Sequence, residues 1–416
     1  MKKLWALVVA LLLVAVAVGC GKKQQSTKLS IWAFTDELKK VVDDFKAANE
    51  GIDVSFSIIP SEEFRTKIRP VLRSGSGAPD VFLGEVAWVR DIVSWGMWMD
   101  LTKNYPDMVK QYEDQAPPYV VDLGRDENGH VVAMSWQACP GGFFYKRSVA
   151  KNVFGTDDPK AIGELISTPE KFLDAARTLK SKNVKMLTGF SDYQWIPFYG
   201  RKAGWVDSNN NLFIDPVAMD FFELAKTLRQ EGLTAKVDQW SPGWFGNMAK
   251  KEVFGYLLPT WGLHYVIKKN AGDTAGDWAV TRGPASYSWG GTWLGIYKNA
   301  EAEDLAVKFV NMLAVDADYQ EAYTREVGDF MSNLNVDAKM AKEEGDPFLG
   351  GQNHYQFFME EAKNITPGLE TKYDQDINGM YIDAIRNYIE DKMTKEEAIA
   401  DMKGKVKNAF PEINVD

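Results

Sequence analysis

The sequence is poor in the residues that most often carry chemistry. Its 416 residues include two cysteines, Cys20 and Cys139, and three histidines, His130, His264 and His354. No histidine stands at a metal-ligand spacing or beside a candidate nucleophile, which argues against zinc hydrolysis and Ser–His chemistry. Positive charge is also in short supply: 48 Lys and Arg face 58 Asp and Glu, for a formal net charge of −10. That balance argues against a nucleic-acid partner and against adhesion to anionic lipid. Aromatic residues are abundant, with 14 Trp, 16 Tyr and 22 Phe. Length and a 45% hydrophobic content suit a soluble protein of two domains with a large core.

The N-terminus carries the sharpest local signal. "MKK" is a positive n-region, and "LWALVVALLLVAVAV" is too short for a comfortable membrane span. Ala17 and Gly19 then precede Cys20, an arrangement that resembles the lipobox of bacterial lipoproteins. The resemblance implies a signal peptide over 1–19, cleavage before Cys20, and acylation of its sulfur with palmitate. Ala17 stands where the lipobox usually has leucine. An ordinary signal peptide with an incidental Cys20 is the other reading. Residues 20–27 read as a lipidated polar tether. Cys139 would then be the one thiol left, with no intramolecular disulfide to form.

An α/β pattern follows. "KLSIWAF", "IDVSFSI" and "PDVFL" read as strands, and "DELKKVVDDFKAAN" and "SEEFRTKIRPVLRSG" as helices, the second bent or weakened at Pro70. Strands alternating with helices predict a parallel sheet, whose ligands bind beyond the carboxyl ends of the strands. Those ends carry Trp32, Phe34 and Asp36 after the first strand, and Glu85 and Trp88 after the third.

The same segments, with "SGSGAPDVFLGEVAWV" and "WGMWMDLT", resemble the opening of bacterial extracellular solute-binding proteins of the maltose-binding type. The likeness continues in order through "ENGHVVAMSWQACPGGFFYKRSVAKNVFG", "STPEKFLDAARTLKS", "EVFGYLLPTWGLHYV", "GGTWLGIYKNAEAEDLAVKFVNML" and "MTKEEAIADMKGKVKNAF". It implies an α/β, type II periplasmic-binding fold: two lobes, each a mostly parallel sheet flanked by helices, closing on a ligand in the cleft between them. Lobe 1 is expected at 28–136 and 290–333, and lobe 2 at 143–289 and 334–416. Residues 137–142 form a hinge crossing with Cys139, Gly141 and Gly142, and Gly290 marks a second. In the crossing, glycine would supply dihedral freedom and Pro140 would restrain it. The expected protein is monomeric and non-enzymatic, needs no cofactor or metal, and serves an ABC import permease from an extracytoplasmic membrane anchor.

Sugars suit such a cleft. Aromatic side chains cover the apolar faces of a sugar ring, and carboxylates hold its rim. Candidate contacts are Trp32, Phe34, Trp88, Trp136, Tyr193, Trp195, Trp240, Trp244, Trp261 and Trp293. Trp261 matches a ligand-stacking position of the family. Asp36, Glu85, Asp192 and Asp374 are candidate rim partners, each equally readable as a surface acid or a helix cap. Trp95, Trp98, Trp205, Trp278 and Trp289 read as structural. "DSNNNLFID" has the alternating oxygens of a calcium loop, but Leu212 stands where that loop needs glycine, and a polar turn explains it better. Two alternatives stay open: the same fold with a polyamine, peptide, phosphate ester or iron as ligand, and an exported carbohydrate-active enzyme.

Overall fold

The structure, a computed structural model, describes residues 26–415. The signal-peptide segment and Cys20 lie outside the described residues. The chain is mixed α/β and divides into two compact units, one of residues up to Val81 with Asn299–Phe309, the other of Phe82–Lys298 with Val310–Asp416.

In the first unit, β1 (Lys28–Ala33) pairs parallel with β2 (Asp53–Ile58), with Leu29 opposite Val54 and Ile31 opposite Phe56. The crossover helix Leu38–Ala48 buries Leu38, Val41, Val42 and Phe45, the stripe that its spacing predicts. Phe45 meets Phe309 edge-on, with ring centres 5.3 Å apart. Helix Ser61–Ser74 continues through Pro70 and stops at the left-handed Gly75. Pro70 sits late in the helix, and Phe64, Ile68 and Leu72 hold it down by packing. The Asp80 carboxylate ties the unit together, accepting from Ser30 N at 2.8 Å and from Ala302 N at 2.9 Å.

The second unit holds β3 (Val81–Glu85, all but its first residue), β4 (Met134–Ser135), β5 (Gly141–Lys146), β6 (Gly255–Pro259), β7 (Trp278–Thr281) and β8 (Thr292–Ile296). β8 lies between β3 and β4 and runs antiparallel to β4. β5 is flanked by β6 and β7, both antiparallel to it. A mostly parallel sheet was expected there. β5 leaves the crossing segment, whereas β6 and β7 run back toward it, with Pro259 opposite Gly141 and Thr281 opposite Phe143. Thr168 caps helix Pro169–Lys180, and Thr394 with Glu397 forms a capping box on helix Lys395–Ala409, both as the sequence suggests. Among the described residues, no helix is long and apolar enough to cross a membrane.

Three segments run side by side between these two sheets. Trp136 O accepts from Ser332 N at 2.7 Å, and Cys139 O accepts from Trp289 N at 3.1 Å. Gln137 pairs with Met331, and Pro140 with Ser288. The two glycines of the expected crossing are instead the first residues of β5, with ordinary dihedrals. Their role is steric. A Cβ on Gly141 would lie 2.2 Å from the Tyr287 ring, and one on Gly142 2.7 Å from Val280. The residue with the unusual backbone is Cys139, at φ +38°, and it is buried.

Candidate functional site

The site grows from aromatic residues on four short stretches of the second unit. In the helix Trp195–Tyr199, the four-residue spacing puts its terminal rings on one face. They are parallel within 2°, with centres 6.3 Å apart. Trp289 stacks on Trp195 at 3.7 Å and 10°. Trp261, two residues beyond β6, meets Trp289 at 4.9 Å and 69° and donates its Nε1–H to Trp289 O at 3.0 Å. Trp240 lies nearly parallel to Trp261 at 6.2 Å.

Backbone features fix this wall. Trp240 has φ +67°, uncommon for so bulky a residue, and is 47% exposed. Gly290 has φ +93°, and a Cβ there would lie 2.4 Å from Trp261 Nε1, so only glycine lets the chain pass behind that indole. Trp195 and Trp261 are half-buried. Around the wall, the Trp195 and Gln239 side-chain nitrogens and the Thr260 hydroxyl are buried without a protein partner.

Two acids of this unit, Glu85 and Glu370, have strongly shifted titration. Glu85, the last residue of β3, accepts from Ala87 N at 2.9 Å. Burial pushes its carboxyl up to about 7, against backbone hydrogen bonds that pull it down. Glu370 is also pushed up to about 7, by burial first and the nearby Asp374 charge second, against Arg201 and Arg90. The Tyr199 hydroxyl titrates well above its ordinary value through burial and then the charges of Glu85, Glu370 and Asp374. It therefore lies within electrostatic reach of all three.

The structure brings Trp195, Trp240, Trp261 and Glu85 of the expected contacts into this unit's site region. It gives others internal work. Trp136, Trp244 and Trp293 are fully buried, and Trp88 and Tyr193 nearly so. The Trp293 indole donates to Val120 O at 3.0 Å, and that of Trp244 to Asp192 Oδ1 at 2.9 Å. Asp192 also accepts from Thr188 and Gly189, and burial raises it to about 6. Asp374 is paired with Arg201 at 2.7 Å, both buried, and it accepts from Thr371. Asp192, Asp374, Trp244 and Trp293 thus spend polar groups on the protein, whereas the Trp136 indole nitrogen is buried without a partner. Trp32, Phe34 and Asp36 stand at and beyond the end of β1 in the first unit. Trp32 and Phe34 are half-buried, the latter edge-on to Phe64, and Asp36 is exposed beside Lys39.

Sequence reasoning did not single out Tyr199 or Glu370, and it read Trp289 as structural, in keeping with its burial. The spacing in "WIPFY" and the place of Trp289 just before Gly290 were available signals. Nothing local marks Glu370. In "DSNNNLFID", the Asp207 carboxylate accepts from Asn209 N and Asn211 N at 2.8 Å each, which makes a tight polar turn. The largest cavity described, about 710 Å³, lies elsewhere and is lined by residues such as Lys160, Arg282 and Phe357.

The tryptophans form two nearly parallel pairs, Trp195 with Trp289 and Trp240 with Trp261, set at 69° where Trp261 meets Trp289, and exposed aromatic faces of this kind suit a solute with apolar faces and a polar rim. The family model for bacterial extracellular solute-binding proteins matches residues 40–346. The chain belongs to that family. Solved structures agree in fold. An extracellular solute-binding protein of family 1 superposes with a TM-score of 0.79 at 18% identity, covering 92% of this chain and 99% of that one. The binding protein of B. animalis subsp. lactis solved with β-1,6-galactobiose gives 0.73 at 20% identity, covering 93% and 98%. The sugar-binding protein MalE of Xanthomonas citri gives 0.75 at 16% identity, covering 92% and 98%. A search of curated protein sequences gives no match.

Proposed function

We propose that this solute-binding protein captures a carbohydrate, in the size range of an oligosaccharide, and delivers it unchanged to an ABC import permease. The observation that carries the reading is the cluster of Trp195, Trp240 and Trp261 around the buried Trp289, whose remaining accessible faces match the C–H faces of sugar rings. Sugar-bound structures of similar fold support it, among them the galactobiose complex. The side-by-side segments around Trp136–Pro140, Tyr287–Gly291 and Asp329–Ser332 are the proposed hinge, with lobes as expected from the sequence. Cys20 carries the lipid anchor in this reading, and the mature protein is a monomer on the extracytoplasmic face.

Thermal denaturation of the mature soluble protein against a panel of mono- and oligosaccharides tests it. A sugar at a hundred times its dissociation constant stabilises by about 2.7 kcal/mol. A panel without any stabilising sugar overturns the carbohydrate reading, and product formation that scales with purified protein overturns the transport one. Cys20→Ser should release soluble protein or leave the precursor uncut. A processed, detergent-extractable mutant indistinguishable from wild type removes the anchor.

A further inference from the structure

Two of the chain's three histidines meet inside the second unit. The His264 and His354 ring centres lie 5.6 Å apart. His264 Nε2 and both ring nitrogens of His354 are buried without a hydrogen-bond partner. The third, His130, bonds Asp100 at 2.8 Å. A buried polar nitrogen left unpaired costs stability, so the pair calls for a role. Lys268, four residues on from His264, is bound to Asp346 at 2.6 Å, and Asp346 is the one acid that acts on both rings. His354 is also the first residue of the helix His354–Ala362, at the positive end of its dipole. These surroundings favour neutral rings. Burial first, then the Lys268 charge, lowers His264 to about 3, and burial lowers His354 to about 4 against the pull of Asp346.

Both rings bear on the crossing segment that follows helix Ala317–Val327. Gly328, the left-handed cap of that helix, passes so close to His264 that a Cβ there would lie 2.2 Å from the ring. His354 packs on the Tyr355 ring at 4.3 Å, and the Tyr355 hydroxyl donates to Asp329 O at 3.2 Å. The Asp329 carboxylate accepts from Gln137 Nε2 at 2.8 Å, and Ser332 N donates to Trp136 O at 2.7 Å. His264 belongs to the π-helical turn Gly262–Ile267, which starts right after Trp261. One continuous path therefore runs from the tryptophan cluster through the two imidazoles to the crossing. Acids face the same segment. Burial pushes Asp329 up to about 6 and Asp337 well above its ordinary value, so both gain stability from protons, the opposite sense to the histidines. Glu343, also near Tyr355, is paired with Arg325 at 2.6 Å.

We propose that His264 and His354 form an acid-released latch on the segment Gly328–Ser332: neutral, they hold it against the Trp136–Gln137 strand, and protonated, they repel each other and Lys268 and let it go. The two new charges would sit in a largely buried site whose nearest acid is already bound to Lys268. An imidazole free of these surroundings takes its proton near 6.5. The latched state is therefore fully favoured above that pH and loses ground as pH falls toward about 4. A lower solute affinity in acid follows where the crossing acts as a hinge; this consequence, unlike the latch itself, rests on the proposed transport function.

Hydrogen exchange on the ligand-free protein tests the latch, read at the Ser332 amide, whose bond to Trp136 O spans the crossing. Its protection factor, corrected for the intrinsic rate, should fall at least about tenfold from pH near 7 to pH near 5, because each pH unit between the free and latched values shifts the equilibrium about tenfold per proton. The double variant His264→Gln, His354→Gln should keep most of its neutral-pH protection in acid. Lys268→Met frees Asp346 to face an imidazolium, so the fall should shrink there too, and this variant decides the matter if the double variant loses its native circular dichroism spectrum. Equal protection at both pH values in the wild type overturns the latch, and so does a fall of the same size in the wild type and in every folded variant. A fall that the variants suppress, with sugar affinity unchanged by pH, upholds the latch and detaches it from the hinge.

Discussion

Two sets of tryptophans divide the second unit. Trp205, Trp278 and Trp293 are fully buried, and each spends its indole N–H on the protein, on Asn378, Thr274 and Val120. Trp195, Trp240 and Trp261 keep accessible surface and lean on one another, with Trp289 as the buried pivot. The side chain is the same, and its surroundings set the role. These three buried indoles pair their N–H and fill their volume, whereas the other three are held in orientation with a face left over.

Removing one member of each set gives the largest expected contrast. Trp293→Ala should cost about 3–5 kcal/mol of stability in urea denaturation, because it opens a cavity and orphans Val120 O. Trp261→Ala should cost far less stability and weaken sugar binding by about tenfold or more. Similar stability losses in both variants would break the comparison.

Glycines beside each set sharpen it. Gly141→Val drives a branched side chain into the Tyr287 ring and should destabilise by about 1–3 kcal/mol or abolish folding. Gly290→Ala strains a φ of +93° and pushes on the Trp261 indole, so it should shift sugar affinity as well as stability. Calorimetry on Gly290→Ala that shows wild-type affinity would detach Trp261 from the site.

Two carboxylates of the same unit add a pH signature. Glu85 and Glu370 are held at about 7 in the folded protein, above their ordinary 4.5. Their contribution to stability is fully present below about 4.5 and is lost as pH rises through about 7. The ligand-free double variant Glu85→Gln, Glu370→Gln should therefore melt higher than wild type at pH near 8, with the gap closing toward pH near 5. The charges that face these groups, Asp374, Arg201 and Arg90, are unchanged in it. A gap that widens on acidification contradicts the burial of these two acids.

The smallest effect concerns Trp240. Trp240→Gly removes a bulky residue from φ +67° and should leave stability within about 1 kcal/mol while weakening sugar binding. A large stability loss would move Trp240 into the structural set.

Much of the fold was legible because local rules suffice for it. The stripe Leu38, Val41, Val42, Phe45, the alternation in β1 and the caps at Thr168 and Thr394 are short-range patterns, and each forms as read. The order of segments along the chain pointed to the family. The antiparallel β6–β5–β7 sheet was not legible, because its strands meet across more than a hundred residues and no local pattern encodes their direction. Cys139 and the neighbouring glycines were legible as a special place. The reason for the glycines was not, since it lies in Tyr287 and Val280, far along the chain.

The sequence by itself determined the elements, the family and the stock of aromatic and acidic side chains from which a site could be made. Only the tertiary structure decided which of them stay accessible and which are spent on the protein. Asp374 and Asp192 look like any other acid in sequence, and folding spends one on Arg201 and the other on Trp244. Glu85 and Glu370 look the same, and among the described residues neither has an ion-pair partner, while burial raises both. The physical reason is that pairing and desolvation depend on what packs alongside in space, and those neighbours come from remote parts of the chain.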